Sequence, residues 1–217
     1  MKNIRLGFIA IALLTFVGCG TTITDADGNI YTSVKIGTQE WMVENLRTSK
    51  YSDGTAIPNV TDNDEWSNLT TGAWSHYNND SQYETTYGKL YNWNAVSDSR
   101  NICPTGWHVP TDAEWTKLTN YLAANGHKGT EGTALKSASS WSEERNGTDN
   151  YGWKAFPVGY RFNSGHFDGV GHYGYWWSSS ESNTSNAWYR SMDNDIDSVY
   201  RTKFKKKLGI SIRCLKD

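Results

Sequence analysis

One segment of this chain is unmistakably helical, and it is short. Thr111-Asp112-Ala113-Glu114 forms a capping box, in which the threonine hydroxyl accepts from the Glu114 amide while the glutamate side chain reaches back. Pro110 precedes it as an extended entry. Trp115, Leu118 and Leu122 follow at i, i+3 and i+7, with Tyr121 beside them, and Gly126 is a natural stop. The spacing predicts an amphipathic helix over about 112–124, its aromatic stripe turned to the core. Most of the remaining chain is short alternating runs divided by Gly, Asn, Ser and Asp. Residues 30–36 (IYTSVKI) alternate like a strand, Gly37-Thr38 turns, and 39–46 returns as a hairpin. Residues 156–161, 175–179, 187–192, 198–202 and 209–215 read as further strands. One capped helix among many short strands predicts an α+β domain built on a twisted antiparallel sheet, with two or so short helices and long irregular loops. Residues 87–96 (YGKLYNWNAV) suit another short helix, and 134–141 a helix or turn. Residues 47–86 read as a long, mostly irregular stretch, of the kind that is functional or pinned by its own aromatic packing.

The N-terminus is organised differently. Lys2 and Arg5 precede an apolar run from Leu6 to Val17, then Gly18 and Cys19. This is the layout of a bacterial lipoprotein signal, with residues 1–18 removed and Cys19 acylated as the new N-terminus. Phe16 stands where such signals usually carry Leu. The alternative, an uncleaved anchor, has to span a bilayer with an apolar run shorter than the ~20 residues required. Residues 19–24 then form a polar tether and 25–217 a single domain, long enough to bury a core. The expected partner of the anchor is a membrane, and the expected location is the outer membrane or cell surface. With Cys19 lipidated, Cys103 and Cys214 remain, an even number for an oxidising compartment. A disulfide between them closes about 110 residues and contributes on the order of 4–5 kcal/mol in the chain-entropy picture; two buried free thiols are the alternative.

Charge and motif spacing exclude several functions. The formal net charge is −2, and loss of Lys2 and Arg5 with the signal lowers it by two further units. A generally basic surface is absent, which argues against nucleic-acid binding through phosphate neutralisation. The one basic run, Lys203 to Lys207, reads as a solvated strand edge that discourages aggregation. His76, His108, His127, His166 and His172 show neither i,i+4 pairing nor Cys-His ligand spacing, so no metal or cofactor is expected. Asp25 to Asn29 looks superficially like the start of a calcium loop. Its glycine falls two residues early and Ile36 holds the position of the bidentate glutamate, so turn chemistry is expected instead. Ser178-Ser179-Ser180 lacks a nucleophile elbow, and no phosphate-cradling glycine loop opens a helix.

What remains is an aromatic surface. Eleven Trp and thirteen Tyr accompany twenty Gly. Candidate ligand contacts are Trp66, Trp74, His166, Asp168, His172 and one of Trp176 or Trp177, which point to opposite faces of a strand. A sugar ring stacked on one of these rings, with Asn and Asp supplying hydrogen bonds, is the chemistry they suit; packing under the long loop is the alternative.

Several strings resemble one family. They are 37–46 (GTQEWMVENL), 51–58 (YSDGTAIP), 87–93 (YGKLYNW), 103–115 (CPTGWHVPTDAEW), 159–161 (GYR), 175–179 (YWWSS) and 211–215 (SIRCL). Together they resemble the Fibrobacter succinogenes major paralogous domain, from about residue 25 to the end. The family occurs on exported and lipid-anchored bacterial proteins. More distantly, 109–115 is similar to a helix start in the formylglycine-generating-enzyme group, which implies a C-type-lectin-like fold. The cysteine pair of its catalytic members does not transfer, because only Cys214 lies in that region. The calcium-dependent sugar motifs of C-type lectins do not occur. The expectation is a non-enzymatic binding or adhesion module for a glycan or surface-protein ligand; the alternatives are a structural envelope component or an enzyme on an extracellular polymer.

Overall fold

A computed structural model describes residues 22–217; the expected signal segment and the expected acylation site Cys19 lie outside the described residues. The expected tether at 19–24 gives way to structure before its end. Strand β1 (Ile23–Thr24) pairs antiparallel with β2 (Ile30–Tyr31), and Ile23 is buried. Between them Asp25 accepts hydrogen bonds from the amides of Asp27 and Asn29, both 2.9 Å, and from the Tyr31 hydroxyl at 2.6 Å. The carboxylate is occupied by its own turn, as turn chemistry requires.

The opening hairpin joins β3 (Ser33–Ile36) to β4 (Gln39–Met42) through Gly37 at φ +62°. Residues 47–86 are less irregular than the sequence suggests. They hold α1 (Asn63–Asn68), capped by the Asp62 carboxylate on the Glu65 amide at 2.8 Å, then β5 (Trp74–Ser75) and α2 (Glu84–Tyr87). The single helix expected over 87–96 is broken. Gly88 turns at φ +77°, β6 (Leu90–Tyr91) pairs with β5, and only then does α3 (Trp93–Val96) begin. The Asn92 carboxamide explains the break: it caps α3 on the Ala95 amide at 3.1 Å and also accepts from the Ala73 amide at 3.0 Å. A long-range tie therefore overrides local helix periodicity.

Strand β7 (Trp107–His108) leads into the capped helix α4 (Asp112–Leu122), where both capping-box bonds form: Glu114 amide to Thr111 Oγ1 at 3.2 Å and Thr111 amide to Glu114 Oε2 at 2.8 Å. Trp115, Leu118 and Leu122 are buried as the stripe requires, and the turn ends at Gly126, φ +93°. Helix α5 (Glu131–Leu135) follows. The rest is β8 (Tyr160–Arg161), β9 (Phe167–Asp168), β10 (Tyr173–Asn183), β11 (Asn186–Asp193), β12 (Tyr200–Lys205) and β13 (Leu215–Lys216). Instead of one sheet, the described residues form five small antiparallel ones, the largest ordered β3-β4-β13-β7 and β10-β11-β12. The last strand lies between the first long hairpin and the strand before the main helix. A disulfide joins Cys103 to Cys214 with Cα atoms 6.0 Å apart, next to the β7–β13 pairing.

Two apolar clusters flank β10. Trp41, Trp115, Trp153 and Trp176 pack ring to ring at 4.8–6.2 Å with α4 over one face. Trp177, Tyr91, Trp74 and Ile210 lie in the cluster on the other. Two of the buried cations are held largely by backbone carbonyls. Arg213, fully buried, stacks 3.7 Å over Trp153, donates to Asn45 Oδ1 at 2.7 Å and to the Trp153 carbonyl, and burial pulls its pKa down to about 9. Lys136 donates to the carbonyls of Asp193 and Ile196, and burial lowers its pKa as well.

Candidate functional site

The four tryptophan candidates are buried and offer no ring to a ligand. Trp176 and Trp177 are both 0% exposed, because β10 is covered on both faces rather than one. Their indole N–H groups are held at 2.8 Å by Asn45 Oδ1 and the Tyr91 carbonyl. Trp66 donates to the Lys207 carbonyl at 2.9 Å beneath the Arg161 guanidinium, 4.2 Å from the ring centroid. Trp74 donates to the Ile57 carbonyl at 2.9 Å. These rings pin the long 47–86 segment. Arg161 completes the fastening by donating to the carbonyls of Val60 (2.5 Å), Thr61 (3.0 Å), Asp62 (3.2 Å) and Gly165 (2.9 Å).

The other three candidates stay at the surface together. His166 and Asp168 are exposed on the β8–β9 hairpin and its exit; His172 is half-buried at the start of β10. The loop passes so closely over two rings that a Cβ on Gly169, φ +80°, would strike Tyr173 and Tyr160. Those rings belong to a stack that the sequence reading missed. Tyr160 and Tyr175 lie 5.2 Å apart at 23°, Tyr175 and Tyr173 5.7 Å apart at 29°, and Phe162 meets Tyr160 edge-on at 4.8 Å. All four are half-buried. Tyr173 and Tyr175 are two residues apart on a strand, so they share a face. That period-two repeat was the available signal. Burial, with Asp168 close by, pushes the Tyr160 pKa up to about 12, and burial with Asp193 raises Tyr175 further. The phenols are therefore neutral at physiological pH, each able to donate and accept. Asp168 Oδ2 stands 3.4 Å from the Tyr160 hydroxyl, and His172 lies 6.3 Å from the Tyr173 ring.

Beyond Phe162 the surface opens into a cleft of about 780 Å³. Its walls come from segments far apart in sequence: Ser67 to Thr70 at the end of α1, Asn94, Asn163 and Ser164, the β10–β11 turn at Thr184 to Asn186, and Lys205 to Lys207. A second cleft of about 540 Å³ shares Thr70 and Asn94 with it and ends at Tyr51, Asp98 and Arg100. The lining of the first combines Leu69 with amides, hydroxyls and ammonium groups, without a carboxylate.

His76 binds Glu84 at 2.6 Å, and His108 sits between Asp217 (2.7 Å) and Glu114 (3.1 Å). His166 approaches Ser164 Oγ at 3.4 Å with no carboxylate bonded to its ring. Among the described residues no three His, Cys, Asp or Glu side chains converge as a metal set, and no helix is long and apolar enough to cross a membrane.

No curated protein and no solved structure matches the chain significantly. The family model of the Fibrobacter succinogenes major domain does match, over residues 34–216, from the opening hairpin through the final strand. With that match spanning nearly all of the described residues, the chain belongs to the Fibrobacter succinogenes major domain family.

Proposed function

We propose that this protein is an exported, non-enzymatic binding module, anchored to the outer membrane or cell surface by acylated Cys19, and that its ligand is a glycan. The observation that carries the reading is the half-exposed tyrosine group of Tyr160, Tyr173 and Tyr175, bordered by Asp168 and His172, with Asn163 and Ser164 of the same β8–β9 hairpin lining the cleft. Half-buried phenol rings, with Tyr175 at 23° to Tyr160 and 29° to Tyr173 and those two tilted at 52° to each other, offer apolar surface to the C–H side of a sugar, while carboxylate, imidazole and carboxamide groups around them suit its hydroxyls. A C-type-lectin-like identity for the mixed architecture is supported by the similarity at 109–115 and by a single dominant helix among small sheets and long loops.

Retention of the full chain on immobilised cellulose, xylan, chitin and polygalacturonate tests the ligand class. Tyr173→Ala is expected to weaken the retained interaction about tenfold, equivalent to roughly 1.4 kcal/mol, with an unchanged melting transition. No retention on any polymer contradicts the reading. For the anchor, Cys19→Ala is expected to abolish fatty-acid labelling and release the protein from membranes; persistent labelling contradicts it.

A further inference from the structure

The basic run of this acidic chain borders the cleft of about 780 Å³. From Ser198 to Lys216 the sequence holds no Asp or Glu, yet Arg201, Lys203, Lys205, Lys206 and Lys207 fall within it. On β12, Arg201, Lys203 and Lys205 alternate and so share one face, spaced by about 6.6–6.8 Å for each pair of residues along a strand. Their partners across the sheet are Arg190, Trp188 and Asn186. Trp188 forms the floor: the Arg201 guanidinium lies 3.4 Å over its ring and the Lys203 ammonium 5.9 Å away. Arg201 is bound on both sides by Asp112 at 2.8–3.0 Å, whereas Lys203 and Lys205 are exposed.

A row of edge lysines alone is adequately explained as a guard against strand-to-strand pairing. That explanation ends where the strand does. Lys206 and Lys207 lie beyond β12, in the turn, and are fixed there: Lys206 Nζ binds Glu181 at 2.5 Å, and Lys207 Nζ binds the Ser67 carbonyl at 2.5 Å. Together with Lys205 they line the cleft whose other walls carry amides and hydroxyls and no carboxylate. A line of regularly spaced cations therefore runs along one edge into a hydrogen-bonding groove.

We infer that the site selects anionic glycans: polyhydroxylated chains bearing regularly spaced carboxylate or sulfate groups, lying along β12 with sugar units in the cleft. This rests on the glycan reading above and adds the charge of the ligand. A row of cations recruits an acidic chain by counterion release, and the amides then read its hydroxyls.

The test compares retention of the full chain carrying Cys19→Ala on polygalacturonate, dextran sulfate, neutral dextran and single-stranded DNA, at ~50 and ~200 mM salt. The expected result is strong, salt-sensitive retention on one or both acidic polysaccharides and weak retention on dextran. Carboxylate and sulfate preferences separate in the first two arms. Lys203→Gln with Lys205→Gln is expected to lower affinity for the acidic polymer about tenfold and its salt slope by up to about one unit per lysine, with the melting transition unchanged. Retention on neutral dextran equal to that on the acidic polymers overturns the inference while leaving a glycan reading intact. No retention on any polymer removes both. Equal retention on DNA overturns the inference, since charge alone then suffices, as does a double variant that aggregates while polymer retention is unaffected.

Discussion

Cutting the bond between Cys103 and Cys214 is expected to destabilise the fold by about 4–5 kcal/mol, almost all through the unfolded state. The two cysteines are separated by 111 residues, and a closed loop of ~100 residues removes on the order of 4.7 kcal/mol of chain entropy from the unfolded ensemble. The native side changes little. The same two segments stay paired through Leu215 with His108 and Lys216 with Trp107, and the Met42 amide still reaches the Cys214 carbonyl at 3.0 Å. Alanine is the cleaner replacement, because both sites are fully buried and a serine hydroxyl would be buried with it. The assay is guanidinium unfolding of Cys103→Ala with Cys214→Ala beside the oxidised parent. The midpoint should fall, and the denaturant slope should rise, because an unlinked unfolded chain exposes more surface. At about 2–4 °C per kcal/mol for a chain of this size, the melting temperature should drop by about 10–15 °C. A loss below about 1 kcal/mol with an unchanged slope would refute the reasoning, since the cross-link would not be restricting the unfolded chain.

Three further outcomes follow from the interior and the ion pairs. Trp115→Ala removes a fully buried ring that packs against Trp41 and Trp153, and should cost about 3–5 kcal/mol by equilibrium unfolding. Arg161→Ala leaves the carbonyls of Val60, Thr61 and Asp62 without their donor, so it should cost at least about 3 kcal/mol and open residues 58–66 to limited proteolysis; Arg161→Lys should restore little, because one ammonium cannot span that set. His108 is pulled down by burial, but its hydrogen bonds to Asp217 and Glu114 outweigh this and raise its pKa above the ordinary 6.5. Its contribution to stability is thus full below 6.5 and is lost as pH rises through the raised value. His108→Gln should flatten that part of the stability profile in pH-dependent unfolding, and an unchanged profile would contradict the assignment.

Local signals in the sequence survived into the structure; of the non-local ones the Cys103–Cys214 pairing did, while the partners of the aromatic rings and buried cations were not legible. The capping box at Thr111 and the stripe of Trp115, Leu118 and Leu122 concern neighbours in one helix, so their spacing alone identifies α4. The 33–42 hairpin and the Asp25 turn are equally local. The helix expected at 87–96 failed because Asn92 answers to Ala73, nineteen residues away. Trp176 and Trp177 were read as one core ring and one surface ring because alternation describes a strand with one wet face, and β10 has none over that stretch. Arg161, Arg213 and Lys136 look like surface cations in sequence; only the fold shows carbonyls gathered around each. The proposed ligand surface was only partly foreshadowed in the sequence. His166, Asp168 and His172 share one loop, but the tyrosines beneath them come from β8 and β10, and the cleft from five separate segments.

The most direct test of the glycan surface is nuclear magnetic resonance of the chain with isotope-labelled tyrosine rings, titrated with oligogalacturonate. The account predicts that ring signals of Tyr160, Tyr173 and Tyr175 shift and saturate together, while those of Tyr91, fully buried and donating to the Thr48 carbonyl at 2.7 Å, stay in place. Saturable binding that leaves the three stacked rings unmoved would contradict it.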